Sequence, residues 1–146
     1  MTRESTHILT CSCADYLFGF DLSVVQEILT EQVMTKVPGA PEHFLGLINL
    51  RGDVVPAISL RCAINSRGQK DALANHRHVI LDLNGSIVSV VVDDVGDVIE
   101  AQDDSNFQEL AGLKSPLKDL VSSIYSTDKQ TVLRISPEAL LGGLKV

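Results

Sequence analysis

Short apolar runs with a two-residue period dominate the pattern of hydrophobic and polar positions along this chain, and turn-forming residues separate them. Alternation of this kind predicts β-strands with one buried face, because successive strand residues point to opposite sides of a sheet. Several short strands at regular spacing are typical of an all-β barrel or sandwich, although the pattern does not distinguish one barrel from two. Strands are predicted at residues 7–13, 16–20, 44–50, 54–60, 78–83, 86–92, 95–101, 120–125 and 130–135.

Two pairs of neighbouring strands carry the sequence signals of β-hairpins. Asn84-Gly85 lies between two runs rich in β-branched residues, and Asn-Gly in that setting is the strongest short-range hairpin signal. The second hairpin has a three-residue loop at 51–53 with a central glycine. Pro56 follows that loop and predicts an edge strand or a bulge, because proline has no N–H to donate to a strand partner.

Two short helices are also predicted between the strands. The first covers residues 24–29, with Asp21 or Ser23 as its N-cap and its apolar side chains on one face. The second begins with Ser136 at the N-cap and Pro137 at the first helical position. The fold class that follows is all-β with short helices.

The composition fits a single domain with an aliphatic core. The chain has 146 residues, of which 45% are hydrophobic, and it contains no Trp, four Phe and two Tyr. A domain of this size buries enough surface to fold without disulfides or a structural metal. The polar stretch 65–77 is predicted to be a mobile loop.

Charge and cysteine content restrict the partners and the compartment. The net charge of −7 predicts an acidic surface, which repels nucleic acid and anionic membranes. Three cysteines are too few and too irregular for a disulfide framework, so a reducing compartment is favoured. No apolar run approaches the roughly 18 residues that span a bilayer, and the first residues do not resemble a secretory signal. A cytoplasmic protein without direct membrane insertion is expected.

No residue pattern in the chain predicts catalytic residues, a cofactor or a metal ion. The sequence lacks the glycine-rich phosphate loops and the nucleophile elbow of common enzymes. His76 and His78 stand beside the predicted loop and are interpreted as surface residues rather than as a metal pair or a pH sensor. Cys11 and Cys13 share one face of a strand and are interpreted as small packing residues.

One polar pair stands out among apolar neighbours. Glu27 lies on the first predicted helix, and Arg51 lies at the tip of the hairpin that contains Pro56. If the two side chains met, they would fix the helix against the hairpin. The alternative is a surface glutamate and a surface arginine that never touch, and periodicity does not decide between the two.

The region around Arg51 is also where the sequence becomes recognisable. Residues 44–61, FLGLINLRGDVVPAISLR, closely resemble the central signature of CheW-like domains, in which an aromatic residue and Gly lead into Asn-Leu-Arg-Gly. That signature continues with an apolar pair, Pro and an apolar-x-Leu-Arg ending. Further similarity to the family extends over residues 18–28, 90–98 and 130–141.

The resemblance implies a fold and a function. The expected fold is one CheW-like domain over residues 1–146, made of two five-stranded SH3-like barrels that are divided near the 65–77 loop. Family members are scaffold adaptors without enzymatic activity that couple transmembrane chemoreceptors to a CheA-type histidine kinase. The expected partners are the regulatory domain of that kinase, which is itself a homologue, and the cytoplasmic tip of the receptor. Contacts of this type can close into rings with the kinase, at receptor arrays on the inner membrane.

The resemblance also implies which residues bind these partners. Glu27 and Arg51 match the acidic–basic pair of the family that supports both contacts, whereas Val25 and Gly46 align with receptor-contact positions. Leu50 and Val54 flank the hairpin tip and complete the set. Two alternatives stay open: a specialised array component that binds the kinase but not the receptor, and a small enzyme or ligand-binding barrel.

Overall fold

The strands of the protein form two sheets. The computed structural model describes residues 5–64, 76–102, 107–108, 112–114, 117–126 and 129–142. In chain order the strands are β1 (Ser5–Cys13), β2 (Tyr16–Asp21), β3 (Val25–Leu29), β4 (Phe44–Leu50), β5 (Asp53–Ser59), β6 (Arg77–Leu83), β7 (Ser86–Val92), β8 (Asp94–Gln102), β9 (Phe107–Gln108), β10 (Val121–Ser126) and β11 (Thr131–Ile135). The helices are α1 (Leu60–Ala63), α2 (Leu117–Leu120) and α3 (Pro137–Gly142).

The two sheets use different parts of the chain. The first sheet has the order β8-β1-β2-β11-β10-β9, and the second has the order β3-β6-β7-β5-β4. The predicted class, all-β with short helices, is therefore confirmed, and the first sheet gains a sixth strand from the two-residue β9. The division near 65–77 stays a prediction, since residues 65–75 lie outside the described residues. β5 and β6, on either side of that stretch, both belong to the second sheet.

The predicted helix over 24–29 is wrong, and a strand takes its place. A short 3-10 turn over Leu22–Val24 leads directly into β3, which pairs antiparallel with β6. β-Branched side chains at three of these positions favour a pleated strand over a helix, and the open edge of β6 supplies the hydrogen bonds. Asp21 does not cap a helix with its side chain but binds Arg134 of β11 with two hydrogen bonds. The predicted helix after Ser136 is confirmed as α3, and the Ser136 hydroxyl accepts from the Ala139 N–H.

Both predicted hairpins are present, and both have two-residue turns. Positive φ values at Arg51 (51°) and Gly52 (92°), and again at Asn84 (57°) and Gly85 (95°), are those of a type I′ turn. Asp53, predicted to lie in the loop, is instead the first residue of β5.

Of the two alternatives predicted from Pro56, the edge strand is wrong, whereas a bulge does occur beside it, where the register shifts between Phe44 and Gly46 of β4 opposite Ile58 and Ala57. β5 lies between β4 and β7, so it is an interior strand. Pro56 is tolerated there because it faces Leu47 of β4, and the parallel pairing with β7 begins only at Ala57. The missing N–H of proline therefore falls just before the second ladder begins.

The main core fills the space between the two sheets. Leu9, Cys11, Cys13 and Phe18 from the first sheet pack in one buried cluster with strand residues of the second sheet such as Val90. The two cysteines are completely buried and free, as packing residues should be. Burial raises the pKa of both thiols to about 12, so they are neutral and unreactive near neutral pH.

An ion pair joins the two sheets at one end of this core. The Arg61 side chain of α1 donates from Nε and Nη2 to the two carboxylate oxygens of Asp93, at 2.7 and 2.6 Å. Asp93 also accepts the backbone N–H of Ala14, in the β1–β2 turn, at 2.9 Å. The Arg61 side chain is only 12% exposed. Asp93 thus connects the helix after β5 to the first sheet.

His76 and His78 are buried, so their interpretation as surface residues is wrong. The two Nε2 atoms lie 3.2 Å apart, and Nδ1 of His78 lies 2.7 Å from the buried Ser89 hydroxyl. Burial, and secondly the nearby His76, lower the pKa of His78 from 6.5 to about 4. His78 is therefore neutral inside the second sheet at neutral pH.

The buried His78 predicts a loss of stability in mild acid. Between pH 6.5 and 4 the unfolded chain binds a proton at position 78 that the folded protein excludes, so the free energy of unfolding falls as the pH is lowered through this window. We expect a loss of about 2 kcal/mol from pH 7 to pH 5 that is due to this group. Urea unfolding of wild type and His78→Asn at both pH values measures it. An equally steep pH dependence in the variant would contradict the assignment.

Candidate functional site

The structure brings Glu27 and Arg51 into direct contact. The Arg51 Nη1 and Nη2 atoms donate to the two carboxylate oxygens of Glu27, at 3.1 and 2.6 Å. A planar guanidinium held by both oxygens of a carboxylate has a fixed orientation as well as a favourable charge interaction. The question that the sequence left open is settled in favour of a two-point ion pair.

The two residues of this ion pair come from opposite edges of the second sheet. Glu27 lies on β3, which forms one edge, and Arg51 follows β4, which forms the other. Thr35, between these strands, adds an antiparallel bridge to Leu47 of β4, with two hydrogen bonds of 2.8 Å. The ion pair and this bridge therefore both hold the chain around β3 against the β4–β5 hairpin.

The turn fixes the position of Arg51. A non-glycine residue with a φ of 51° adopts a left-handed conformation that most side chains avoid. The adjacent Gly52 N–H donates to the Asn49 side chain at 2.9 Å, which stabilises the turn. Arg51 thus lies at a short hairpin tip that a side-chain hydrogen bond stabilises.

Exposure and charge make the pair accessible to another molecule. The Arg51 side chain is 66% exposed, whereas that of Glu27 is 25% exposed. The hydrogen bond from Arg51 lowers the pKa of Glu27, so this carboxylate stays charged at neutral pH. A guanidinium has five N–H donors, and Glu27 takes two of them. Much of the Arg51 donor capacity can therefore serve a partner.

The other predicted site residues lie in the same sheet but in different environments. Val25, on β3, is half-buried against the main core, and Leu50 packs against a second apolar cluster inside the second sheet. Gly46 is buried in β4. Val54 is the exception, with 66% of its surface exposed beside the hairpin tip. Of these four, Val54 is thus the most accessible.

Three exposed apolar residues in and after β3 were not predicted from the sequence. Val33 is 92% exposed, and Ile28 and Val37 are 43% and 40% exposed. These residues lie on β3 or on the segment that leads from it to β4. The two-residue period does not reveal them, because this pattern assumes that apolar side chains point inwards.

The described residues contain no candidate metal centre. Among them there is no group of three or more His, Cys, Asp or Glu side chains that could hold a metal ion. An open cleft of about 490 Å³ lies elsewhere, against the Asp21–Arg134 ion pair and His7. No helix in the described part of the chain is long and apolar enough to cross a membrane.

Comparisons with known proteins give one consistent result. Residues 7–145 match the family model of the CheW-like domain. The chain is 33% identical over 143 residues to the probable chemotaxis protein CheW of Rhizobium etli, an alignment that covers 96% of this chain and 90% of that protein. It is 30% identical over 105 residues to the chemotaxis protein CheW of Rhizobium meliloti, covering 70% of this chain and 66% of that protein.

A solved structure shares the fold. The crystal structure of the scaffolding protein TtCheW from Thermoanaerobacter tengcongensis matches with a TM-score of 0.78 at 28% sequence identity. The match covers 91% of this chain and 90% of that chain. Sequence and structure comparisons thus agree over nearly the whole chain.

Proposed function

The chain belongs to the CheW-like domain family and is a scaffold adaptor of chemotaxis signalling, and on that premise we propose that it joins a CheA-type histidine kinase to transmembrane chemoreceptors. Its partners are the regulatory domain of the kinase and the cytoplasmic tip of the receptor. The adaptor has no catalytic activity of its own. It works in the cytoplasm, at receptor arrays on the inner membrane, and its contacts with the kinase can close into rings.

The observation that carries this proposal is the exposed ion pair at the hairpin tip. Arg51 is held by Glu27 and still exposes two thirds of its side chain. Val54 presents an apolar side chain next to it. A fixed arginine beside exposed apolar side chains has the composition of a protein-binding hot spot. This combination supports a binding surface rather than a buried structural ion pair.

The remaining predicted residues support this surface in different ways. Val25 packs inwards on β3, the strand that carries Glu27, and Leu50 packs inwards at the end of β4, directly before Arg51. Both therefore help to set the positions of the two charged side chains. Gly46 lies where the Thr35 bridge meets β4. We expect substitutions at these three positions to act on partner binding through the geometry of the ion pair.

Calorimetric titration with the isolated regulatory domain of the kinase tests the proposal. Saturable binding at micromolar affinity or better, about −8 kcal/mol, is expected. A second titration, with a receptor cytoplasmic fragment, tests the other contact. Binding to the kinase without binding to the receptor would indicate a specialised array component. Binding to neither by a demonstrably folded protein would contradict the adaptor role.

A further inference from the structure

The turn between β6 and β7 places a side-chain amide next to the backbone nitrogen of a glycine. Asn84 and Gly85 are the two central residues of this turn, and both are exposed. A Cβ atom at position 85 would meet nothing within 4 Å, so the space beside Gly85 is open. Asparagine is among the residues that are chemically least stable to heat. Glycine has no side chain to hinder an attack by its own nitrogen.

Deamidation of Asn84 needs only water as a co-reactant. The Gly85 nitrogen attacks Cγ of Asn84 and forms a bond to it, and the side-chain amide leaves as ammonia with the proton that the nitrogen gives up. Water then opens the five-membered imide ring at either carbonyl carbon, which gives aspartate or isoaspartate. Isoaspartate adds one atom to the backbone, so it does not fit a two-residue type I′ turn.

The folded turn opposes the first step of this reaction. The φ values of 57° at Asn84 and 95° at Gly85 are those of a type I′ turn. In such a turn the first central residue has a ψ of about 30°, which directs the following nitrogen away from Cβ of that residue. Ring closure therefore requires a large rotation about the Cα–C bond of Asn84, and this rotation opens the turn.

Asp82 adds a second restraint on the attacking nitrogen. The Gly85 N–H donates to Oδ1 of Asp82 at 2.8 Å, which keeps the nitrogen in the orientation of the turn. The β4–β5 turn is built in the same way, because the Gly52 N–H donates to Oδ1 of Asn49 at 2.9 Å. The residue before Gly52 is an arginine, however, which has no side-chain carbonyl carbon to attack. Of these two turns, the β6–β7 turn is thus the one that can deamidate by this route.

We propose that Asn84 is a site of deamidation and isoaspartate formation, and that Asp82 protects it as long as the β6–β7 hairpin is folded. The inference concerns the covalent lifetime of the second sheet and is independent of the adaptor function. β6 and β7 are both interior strands of that sheet, and the hydrogen bond between His78 and Ser89 joins them. An isoaspartate in their turn therefore lowers the stability of the sheet irreversibly.

Peptide mass spectrometry after incubation of the full chain tests the site. The chain is kept at one pH and temperature, either folded in buffer or unfolded in guanidinium chloride, and chromatography separates the isoaspartyl from the aspartyl peptide. Deamidation of Asn84 is expected in the unfolded chain, and at least about 10-fold more slowly in the folded chain, because the turn must first open. No product at Asn84 in the unfolded chain would overturn the site, and equal rates would overturn the protection by the fold.

Two variants test the role of Asp82, and both should fold because Asp82 is exposed. Asp82→Ala removes the acceptor and is expected to speed deamidation of the folded chain about 3-fold or more, with no change of rate in guanidinium chloride. The matched control Asp82→Asn keeps an acceptor of the kind that Asn49 supplies in the other turn, and should react as slowly as wild type. The protective role fails if Asp82→Ala reacts no faster than wild type, or if Asp82→Asn reacts as fast as Asp82→Ala.

Discussion

Arg51→Glu is expected to weaken binding to the regulatory domain of the kinase by on the order of 100-fold and to leave the protein folded. The change replaces a two-point ion pair by two facing carboxylates at positions 27 and 51. It also presents a negative charge to any acidic group of the partner. Arg51 is mostly exposed and makes no core contact, so the unfolding temperature should change little. Calorimetry and thermal unfolding measure the two effects.

Two further variants test whether the loss of binding is specific to the Glu27–Arg51 pair. Lys118→Glu makes the same charge change on the exposed face of α2, in a part of the chain distant from the hairpin tip, and should bind normally. The charge swap Glu27→Arg with Arg51→Glu keeps an ion pair but reverses it. Recovery of binding in the swap would assign the effect to pair geometry, whereas continued loss would assign it to a direct contact of the guanidinium. Normal binding by Arg51→Glu would contradict the placement of the site.

Arg61→Ala is expected to lower the free energy of unfolding by about 3 kcal/mol. The substitution leaves Asp93 largely shielded from water with the Ala14 N–H as its remaining hydrogen-bond donor from the first sheet. It also removes the link between α1 and the first sheet. Arg61→Lys should lose part of this stability, because an ammonium group cannot donate in the same two-point geometry. Urea unfolding at neutral pH measures both variants.

Lys118→Ala is the control for this prediction, since Lys118 is exposed. Its effect should stay within about 0.5 kcal/mol. A loss of less than about 1 kcal/mol for Arg61→Ala would mean that the pair acts as an ordinary surface salt bridge. The connection between the sheets would then depend on the apolar core alone.

Most of the fold could be predicted from the sequence because strand alternation and hairpin turns are local signals. The failure at 24–29 is instructive, since four apolar residues in six fit a helical face and a strand about equally well. This segment is a strand because it pairs with β6, and the local sequence does not show that β6 is its neighbour. The burial of His78 has a similar cause, because its hydrogen bond to Ser89 crosses from β6 to β7.

The site was only partly predictable for the same physical reason. Residue type and family resemblance pointed to Glu27 and Arg51, yet their contact depends on how two sheet edges meet. Val33 carried no signal at all, because an exposed valine and a buried valine look alike in a sequence. Its exposure became visible only in the structure.

The two sheets take their strands from different parts of the chain, and this has a consequence for folding. All five strands of the second sheet come from one continuous stretch, from β3 to β7, whereas the first sheet combines strands from both ends of the chain. Pairing of β2 with β11 must therefore close a loop of most of the chain, and such non-local contacts form slowly. During synthesis the sheet that carries Glu27 and Arg51 can be complete before β11 leaves the ribosome. The sheet that carries the proposed binding site is then expected to form first, and β2 pairs with β11 only afterwards.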